Sequence, residues 1–431
     1  MSSLLSIRPS RQETPDRGRG IVIGIDVAKG KMDYAAFRPS EKSGLLRVKR
    51  NSEGFASLLA CAEALKAKGY EVWMAYEPTG PYSYCLSQML LRSEFRTVLV
   101  NPYHVKRTKE VRDNSPQKSD MKDPGVIADL VWQGCYQEVA SVEGVYSDLR
   151  YAYWDWVSLG KQMARYRNEY QSVLEMWFPE LGDIFADPLC KSARAIVKRY
   201  DSVERLGKAR LSSVKGLVRK ASSGRVSALR AQDIHQSARA SVGAREGAGS
   251  LNYHLKRIVS CVEEIERQKQ DLRGRMEGLL NQLPEAANLL TIPFIGTIIV
   301  AGFLGECGDI RKFTCYGQLE KHLGLNLYEV SSGKHKGGRQ ISKRGRCRGR
   351  YLLCLAAVTQ MRNGGLFREY AQSRKSEKMP SKKIMIATAR KLLRLLYAIA
   401  RDGSTFDMRS NVTEGTRDGQ SIRQGTQPQA A

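Results

Sequence analysis

The sequence lacks the patterns by which proteins bind transition metals or build disulfide frameworks. Its nine cysteines are an odd number, lie far apart and contain no CxxC pair, which favours reduced thiols in a cytoplasmic protein. Its five histidines show neither HxxxH nor HExxH spacing, so a histidine-bound zinc ion is not expected. Any metal ion in this protein should therefore be bound by carboxylates.

An export signal and an uninterrupted membrane-spanning run are also missing. Residues 1–20 are rich in Ser, Arg and Pro and have no apolar stretch, which predicts a disordered basic arm. The uncharged residues 286–305 are interrupted by Asn288, Pro293 and Gly296, so we expect helix, turn and helix there and no contact with a membrane. Residues 403–431, with many Gly, Ser, Thr and Gln residues, predict a disordered tail.

Acidic residues are scarce relative to basic ones. The chain has 70 Lys and Arg against 44 Asp and Glu, a formal net charge of +26. Residues 311–401 alone hold 22 basic and four acidic residues, and so contribute +18 of that total. A surplus of this size favours a nucleic-acid partner over small-substrate metabolism.

The segment 21–140 alternates between strand-like and helix-like patterns. The runs 21–26, 32–37 and 44–49 predict three antiparallel strands, and after them helices and strands alternate over 55–67, 71–76, 84–91 and 96–100. Asp123 followed by Pro124 predicts the start of a helix that ends near residue 133. This order predicts an open mixed α/β sheet, a fold that places sites at the carboxyl ends of its central strands.

Four acids in this segment stand where a metal site could form. Asp26 and Glu77 end predicted strands, and Asp120 and Asp123 flank a helix start. Carboxylate oxygens suit Mg²⁺, and two such ions can hold both the attacking and the leaving oxygen of a phosphodiester. Each acid alone is more often a turn or capping residue, and it is their joint placement that favours a metal site. We expect Asp33, Asp113 and Asp129 to lie at the surface or around the ligands.

The region 141–284 is expected to be helical. Apolar residues spaced alternately by four and three run from Leu251 to Leu283, broken once by Lys269, which predicts a coiled coil at about 251–283. This seam could pair with a second subunit, making a dimer or tetramer, or fold against its own chain. We prefer pairing with a second subunit.

The segment 285–402 predicts a mainly α-helical domain with a basic loop. Residues 331–350 contain eight basic residues, five glycines and no acid, a composition that suits phosphate contacts. A serine beside such groups is a possible nucleophile, although a solvated loop would look the same. The predicted nucleic-acid-binding residues are Lys334, Lys336, Arg339, Lys343, Arg344, Arg346, Arg348, Lys382 and Lys383.

Taken together, the motifs resemble the DEDD transposases related to the Piv DNA invertase, insertion-sequence recombinases guided by a bridge RNA. In the N-terminal part the matching pieces are Gly24-Ile25-Asp26-Val27-Ala28-Lys29, Glu77-Pro78-Thr79-Gly80, Asn101-Pro102 and Lys118-Ser119-Asp120-Met121-Lys122-Asp123. In the C-terminal part they are Ile292-Pro293-Phe294-Ile295-Gly296, Gly324-Leu325, Ser332-Gly333 and Ile341-Ser342-Lys343-Arg344-Gly345. No single piece is decisive, but the ordered set is specific and spans about residues 21–400.

The resemblance implies a RuvC-like, RNase H-type domain in which Asp26, Glu77, Asp120 and Asp123 bind Mg²⁺, with two ions expected per site. It also implies a C-terminal transposase domain whose serine, Ser332 with Ser331 as its rival, becomes linked to DNA. Implied partners are DNA, a guide RNA and further copies of the chain, with one site shared between subunits.

Two other functions compete with a serine recombinase. A RuvC-like nuclease would let metal-bound water attack and would leave no protein-linked DNA. A non-catalytic nucleic-acid-binding protein would use the acids only as caps and ion-pair partners, and would show no Mg²⁺ dependence beyond salt screening.

Overall fold

The computed structural model describes residues 13–38, 41–42, 44–113, 123–139, 143–329, 331–332, 335–362 and 364–407, with the backbone alone at 41, 42, 112, 113, 331, 332, 335 and 336. The chain divides into two compact units, Met1–Ser141 and Val142–Ala431. The second unit joins the predicted helical region and the predicted C-terminal domain.

The first unit is built on a mixed sheet, as the sequence predicts. Its strands are β1 (Gly20–Val27), β2 (Lys31–Arg38), β3 (Glu41–Lys42), β4 (Leu46–Lys49), β5 (Glu71–Tyr76), β6 (Arg96–Leu99) and β7 (Gln137–Glu138). They are ordered β3-β2-β1-β5-β6-β7, and β4 also pairs with β2. Strand β1 runs antiparallel to β2 and parallel to β5, which is parallel to β6.

Helices cover both faces of this sheet. They are α1 (Ser52–Ala67), α2 (Tyr84–Arg92), α3 (Pro102–Asp113) and α4 (Asp123–Trp132). Ile23 and Ile25 of β1 pack in one core with Leu58 of α1, whereas Val22 belongs to a second core with Ile127 of α4. Because β1 is buried on both faces, its sequence reads as a continuous apolar run.

Both predicted disordered ends are partly ordered. Arg96 Nη1 donates a hydrogen bond to Glu13 Oε2 at 2.7 Å, and the Tyr136 hydroxyl donates to the Glu13 carbonyl at 2.6 Å. At the other end the Phe406 amide donates to Thr291 Oγ1 at 2.8 Å. Residues 13–20 and 403–407 therefore differ from the prediction, because they make contacts that only the folded chain provides.

The second unit is mainly helical. Its helices are α5 (Gly144–Trp177), α6 (Glu180–Ile184), α7 (Lys191–Arg199), α8 (Val203–Lys208), α9 (Leu211–Ala221), α10 (Ala228–Arg239), α11 (Ala248–Leu280), α12 (Pro284–Leu290), α13 (Thr297–Cys307), α14 (Tyr316–His322), α15 (Cys347–Gln360), α16 (Arg368–Ser376) and α17 (Ser381–Asp402). The uncharged residues 286–305 fold into parts of α12 and α13 and the turn that joins these two helices. No helix among the described residues is long and apolar enough to cross a membrane.

The predicted heptad seam packs within its own chain. Helices α5 and α11 form a long antiparallel pair, in which Lys269 Nζ lies 3.9 Å from the centre of the Trp156 ring and Arg257 pairs with Glu169 at 2.9 Å. Seam residues such as Ile258 and Val262 are fully buried. Pairing of this seam with a second subunit, the alternative that we preferred, therefore loses its physical basis.

The helix pair carries a separate core at each of its ends. At one end, α6 to α10 pack around Tyr170, Trp177 and Leu255. At the other end, α12 to α15 and α17 pack around Phe303 and Leu392, among others.

Candidate metal centre and serine hairpin

Gly24 in β1 lets the first turn of α4 lie against the sheet. A Cβ atom at this position would lie only 1.9 Å from the carbonyl oxygen of Pro124, a distance that no side chain tolerates. Asp123 is the first residue of α4, and Asp26 lies two residues after Gly24 on β1. Glycine at position 24 thus brings the backbone segments that carry these two acids close together.

Parallel pairing brings a third acid to the same edge of the sheet. Ile25 of β1 is the register partner of Tyr76 of β5. The next residues along the two strands are Asp26 and Glu77, so these acids leave neighbouring strands at the same level. Both are half-buried.

The pKa of Glu77 shows which charged groups surround its carboxyl. Burial raises the pKa of the Glu77 carboxyl, and the negative charges of Asp26 and Asp123 raise it further, whereas the Lys109 ammonium opposes them. Lys109 of α3 also forms an ion pair with Asp123, whose side chain is only 14% exposed. The three acids therefore share one partly buried environment that already attracts a cation.

Asp33 lies next to this group but is already neutralised. It is the register partner of Asp26, and only 1% of its side chain is exposed. Arg47 Nε and Nη2 donate to its two carboxylate oxygens at 2.7 and 2.9 Å. Of the two predicted positions, the surface one is therefore wrong and the one around the ligands agrees with the structure, and this bidentate pair explains why Asp33 is a poor metal ligand.

The donor set fits Mg²⁺, although the structure does not assemble a complete site. Within the described ranges, no three Asp, Glu, His or Cys side chains form a metal-binding group. Asp120, the fourth predicted ligand, lies outside the described residues. The fit rests on hard carboxylate oxygens, on the raised pKa of Glu77 and on the Lys109 ammonium beside Asp123.

Lys109 is a site residue that the sequence reading missed. Helix α3 lies between the predicted strand 96–100 and the helix predicted from Asp123, and a single lysine there carries no signal of its own. The signal that could have identified Lys109 is its place in the sequence, because α3 directly precedes the segment that contains Asp120 and Asp123.

Ser332 lies on a β-hairpin, where the sequence indicated only a basic loop. Its strands are β8 (Leu327–Tyr328), β9 (Ser331–Ser332), β10 (His335–Lys336) and β11 (Gln340–Ile341). Leu327 pairs with Ile341, and Ser332 pairs with His335. Ser332 is thus the last paired residue before the hairpin tip, and Ser331 lies one step closer to the foot.

The foot of the hairpin, residues 322–326 and 342–346, is held by close side-chain and backbone contacts. Ser342 Oγ donates to Asn326 Oδ1 at 2.5 Å, and the Arg346 amide donates to the His322 carbonyl at 2.9 Å. A Cβ atom on Gly345, which has φ 145°, would lie 2.4 Å from that carbonyl oxygen. Glycine is therefore required at this position for the strands to return to the helical core.

A buried polar network lies beneath the foot. Arg150 donates to the carbonyl oxygens of Gly305 and Glu306 at 2.8 and 3.1 Å. Trp154 Nε1 donates to Glu306 Oε1 at 2.6 Å, and the Arg348 guanidinium lies 4.1 Å from the Trp154 ring centre. Trp154 is therefore half-buried and is held in this network by its hydrogen bond and by packing against Arg348.

The predicted nucleic-acid-binding residues lie in two places. Arg339, Lys343 and Arg344 are exposed near the hairpin foot, and Arg339 pairs with Glu329 at 3.3 Å. Lys382 and Lys383 are exposed in the first turn of α17. Lys334 lies outside the described residues, as does the side chain of Lys336. Arg346 directly precedes α15, and Arg348 lies in its first turn.

A mixed α/β unit with acids at a sheet edge, joined in one chain to a strongly basic helical unit, is typical of proteins that process nucleic acid. Comparison with known proteins gives the family. A model described as transposase, of the IS110 DEDD type, matches residues 23–179, and one described as transposase IS116/IS110/IS902 family matches residues 286–372. The chain belongs to the IS110/IS116 family of insertion-element DEDD transposases.

Two relatives are proteins of Streptomyces insertion elements. The insertion element IS110 uncharacterized 43.6 kDa protein of Streptomyces coelicolor is 23% identical over 395 residues, which cover 90% of this chain and 96% of the relative. The insertion element IS116 uncharacterized 44.8 kDa protein of Streptomyces clavuligerus is 27% identical over 124 residues, 29% of this chain and 31% of the relative.

Proposed function

We propose that this transposase cuts and rejoins DNA, with Ser332 as nucleophile and with Mg²⁺ bound by Asp26, Glu77, Asp120 and Asp123. The observation that carries the metal site is the shared environment of Asp26, Glu77 and Asp123, in which burial and then repulsion from the other two acids raise the pKa of Glu77, and a lysine ammonium pairs with Asp123. A divalent cation would relieve that repulsion more fully than one ammonium does.

The α/β unit supports a RuvC-like, RNase H-type assignment. It begins with an antiparallel hairpin, β1 and β2, and continues with parallel strands β5 and β6 on the other side of β1. Acids at the ends of β1 and β5 then meet at one edge, as such a nuclease fold requires.

In the proposed reaction, the Ser332 hydroxyl loses its proton and its oxygen forms a bond to a DNA phosphorus. The bond from that phosphorus to one deoxyribose oxygen breaks, and this oxygen takes up a proton and leaves as a hydroxyl group. Mg²⁺ held by Asp26, Glu77, Asp120 and Asp123 would supply positive charge to stabilise the charge that develops on the phosphate. Attack of a second DNA hydroxyl on the phosphoserine then rejoins the strand and frees Ser332.

Each step replaces one phosphoester bond with another. Because the number of such bonds stays the same, the strand can be rejoined without an external energy source. Exposed basic groups at the hairpin foot, Lys343 and Arg344, are suited to hold the DNA phosphates nearby. The resemblance adds two further parts of the proposal: a bridge RNA that specifies the target, and an oligomer that shares each site between subunits.

The test is substitution of the two hydroxyls and of one acid. Ser332→Ala should abolish the covalent protein–DNA adduct while DNA binding persists, and Ser331→Ala, the matched control, should retain the adduct. Asp26→Asn should abolish strand cleavage in Mg²⁺. An undiminished adduct in Ser332→Ala would remove this serine from the mechanism.

The same experiment separates the alternatives. Hydrolysed DNA ends without any adduct in the unaltered protein would favour a nuclease that uses water. Binding that is indifferent to Mg²⁺, with no cleavage, would favour a non-catalytic protein. Sequencing the nucleic acid that co-purifies with the protein tests the guide: discrete RNA from beside its own gene is expected.

A further inference from the structure

The helices α6 to α10 form a part of the chain that neither the metal site nor the serine hairpin uses. They lie between the two segments matched by family models, which end at residue 179 and begin again at residue 286. Their own core, around Trp177 and Ile234, makes them a compact group at one end of the α5–α11 pair.

One stretch within this group has an unusual charge. Residues 205–232 contain eight Lys or Arg and no Asp or Glu. The first two are neutralised in the structure, since Arg205 pairs with Asp201 at 3.0 Å and Lys208 pairs with Glu204 at 2.5 Å.

The next five basic residues have no such partners. They are Arg210, Lys215, Arg219, Lys220 and Arg225, and none forms an ion pair with any residue in the described part of the chain. Four of them are exposed and Lys215 is half-buried. Like charges kept this close without counter-ions repel one another, so an external polyanion would stabilise the surface.

The shape of α9 favours close approach of a phosphate backbone. Val214 and Val218 face the core, which leaves the opposite face to small residues, Ser212 and Gly216, beside the two cations Arg219 and Lys220. Short side chains let phosphate oxygens reach serine hydroxyls while the longer cations neutralise the neighbouring phosphates.

The dimensions agree with this interpretation. Helix α9 has 11 residues, which at 1.5 Å per residue makes it roughly 16 Å long. One strand of duplex DNA carries a phosphate about every 3.4 Å, so roughly five phosphates lie along this length. The cations on and next to α9 are therefore distributed over a length that spans several phosphates of one strand.

We propose that the solvent face of α9, with the residues 210 and 225 that flank it, is a second DNA-binding surface that contacts the phosphate backbone of duplex DNA. It goes beyond the proposed strand cleavage, because it needs neither Ser332 nor the acids. DNA is the chosen partner because the family to which the chain belongs moves DNA, and the contacts are independent of base sequence.

The experiment measures affinity of the full-length protein for a random-sequence DNA duplex over a range of salt concentrations, without divalent cations. The variant is Arg219→Gln with Lys220→Gln. The control, Arg205→Gln with Lys208→Gln, removes the same charge from residues that are already paired. We expect the double variant to lower the salt slope by about 2 and to weaken binding roughly tenfold at about 0.1 M salt, with the control unchanged.

A second variant in the adjoining turn, Arg225→Gln, should lower the salt slope by about 1. All substituted residues are exposed, so thermal unfolding of each variant should match that of the unaltered protein. If Arg219→Gln with Lys220→Gln left DNA binding unchanged, or weakened RNA binding and not DNA binding, the proposal would be overturned.

The proposal and the strand-cleavage mechanism fail separately. Ser332→Ala tests the adduct and should leave the salt slope as it is, whereas the α9 variants test the salt slope without changing any group that acts on the phosphodiester.

Discussion

The two units hold their candidate catalytic residues in different ways. Asp26 and Glu77 leave strands β1 and β5 between two packed cores, and Asp123 starts a helix that lies against the backbone of β1. Ser332, by contrast, lies near the tip of a hairpin whose strands have two residues each. Its fixed part is the foot, where Gly345 and His322 meet.

This difference indicates which substitutions outside each site should disturb its catalytic residues. The acids depend on backbone packing, so a single added methyl group can separate the elements that carry them. The serine depends on a few close contacts at the hairpin foot, so the same methyl group there should disturb Ser332 and leave the acids intact.

Gly24→Ala is expected to have the largest effect. Its Cβ would lie 1.9 Å from the Pro124 carbonyl oxygen, and neither backbone can yield without moving β1 from α4. We expect a loss of about 3 kcal/mol in the free energy of unfolding, and loss of Mg²⁺-dependent cleavage with it. Denaturant unfolding and a cleavage assay measure the two effects.

Gly30→Ala is the matched control, because a Cβ atom there would meet nothing within 4 Å. It should leave stability within about 0.5 kcal/mol of the unaltered protein. Equal stability of the Gly24→Ala and Gly30→Ala proteins would contradict the close packing of β1 and α4.

Gly345→Ala should destabilise the other region by about 2 kcal/mol, because the added Cβ would lie 2.4 Å from the His322 carbonyl oxygen and 2.6 Å from the Gly324 nitrogen. The covalent adduct should be lost while Mg²⁺ binding, measured by calorimetry, persists. Gly338→Ala, where a Cβ has open space, should keep the adduct. Loss of Mg²⁺ binding in Gly345→Ala would argue against separate support for the two sites.

The sequence was most informative where a pattern depends on local periodicity. The predicted strand 71–76 coincides with β5, and the helix predicted from Asp123 begins there in the structure. The hairpin escaped prediction, since paired strands of two residues are too short for alternation to show. A heptad pattern reveals that a seam is buried but not by which helix, and so α5 could not be foreseen as the partner of α11.

The site shows the same limit. Strand ends can be located in the sequence, and this is why Asp26 and Glu77 were identified. The environment of Asp123, in contrast, depends on Lys109 of α3, a contact between elements that only the fold creates. Asp33 is the opposite case, an acid that a contact in the fold excludes as a ligand. Its ion pair with Arg47 of β4 neutralises it, and no sequence motif indicates this pair.

The smallest expected effect is a pH dependence of the free energy of unfolding that comes from His322 at the hairpin foot. His322 Nε2 donates to the Glu306 carbonyl oxygen at 3.1 Å as the neutral ring. Burial lowers the pKa of His322 to about 4; the hydrogen bond to Glu306 opposes this shift, and the positive charges of Arg346 and Arg150 add to it. The folded protein therefore resists protonation of this ring, whereas the unfolded chain takes up a proton near its ordinary value of about 6.5.

His322→Gln tests this pH response, because the amide keeps a donor for Glu306 but does not titrate. The free energy of unfolding of the unaltered protein includes a His322 contribution that is fully present above about pH 6.5 and is lost as the pH falls towards 4. Between pH 7 and pH 5 the unaltered protein should lose about 1.5 kcal/mol more than the variant, measured by denaturant unfolding at both values. Parallel losses in the two proteins would mean that His322 is accessible to protons in the folded state, and that the hairpin foot is less tightly packed than the β1–α4 contact.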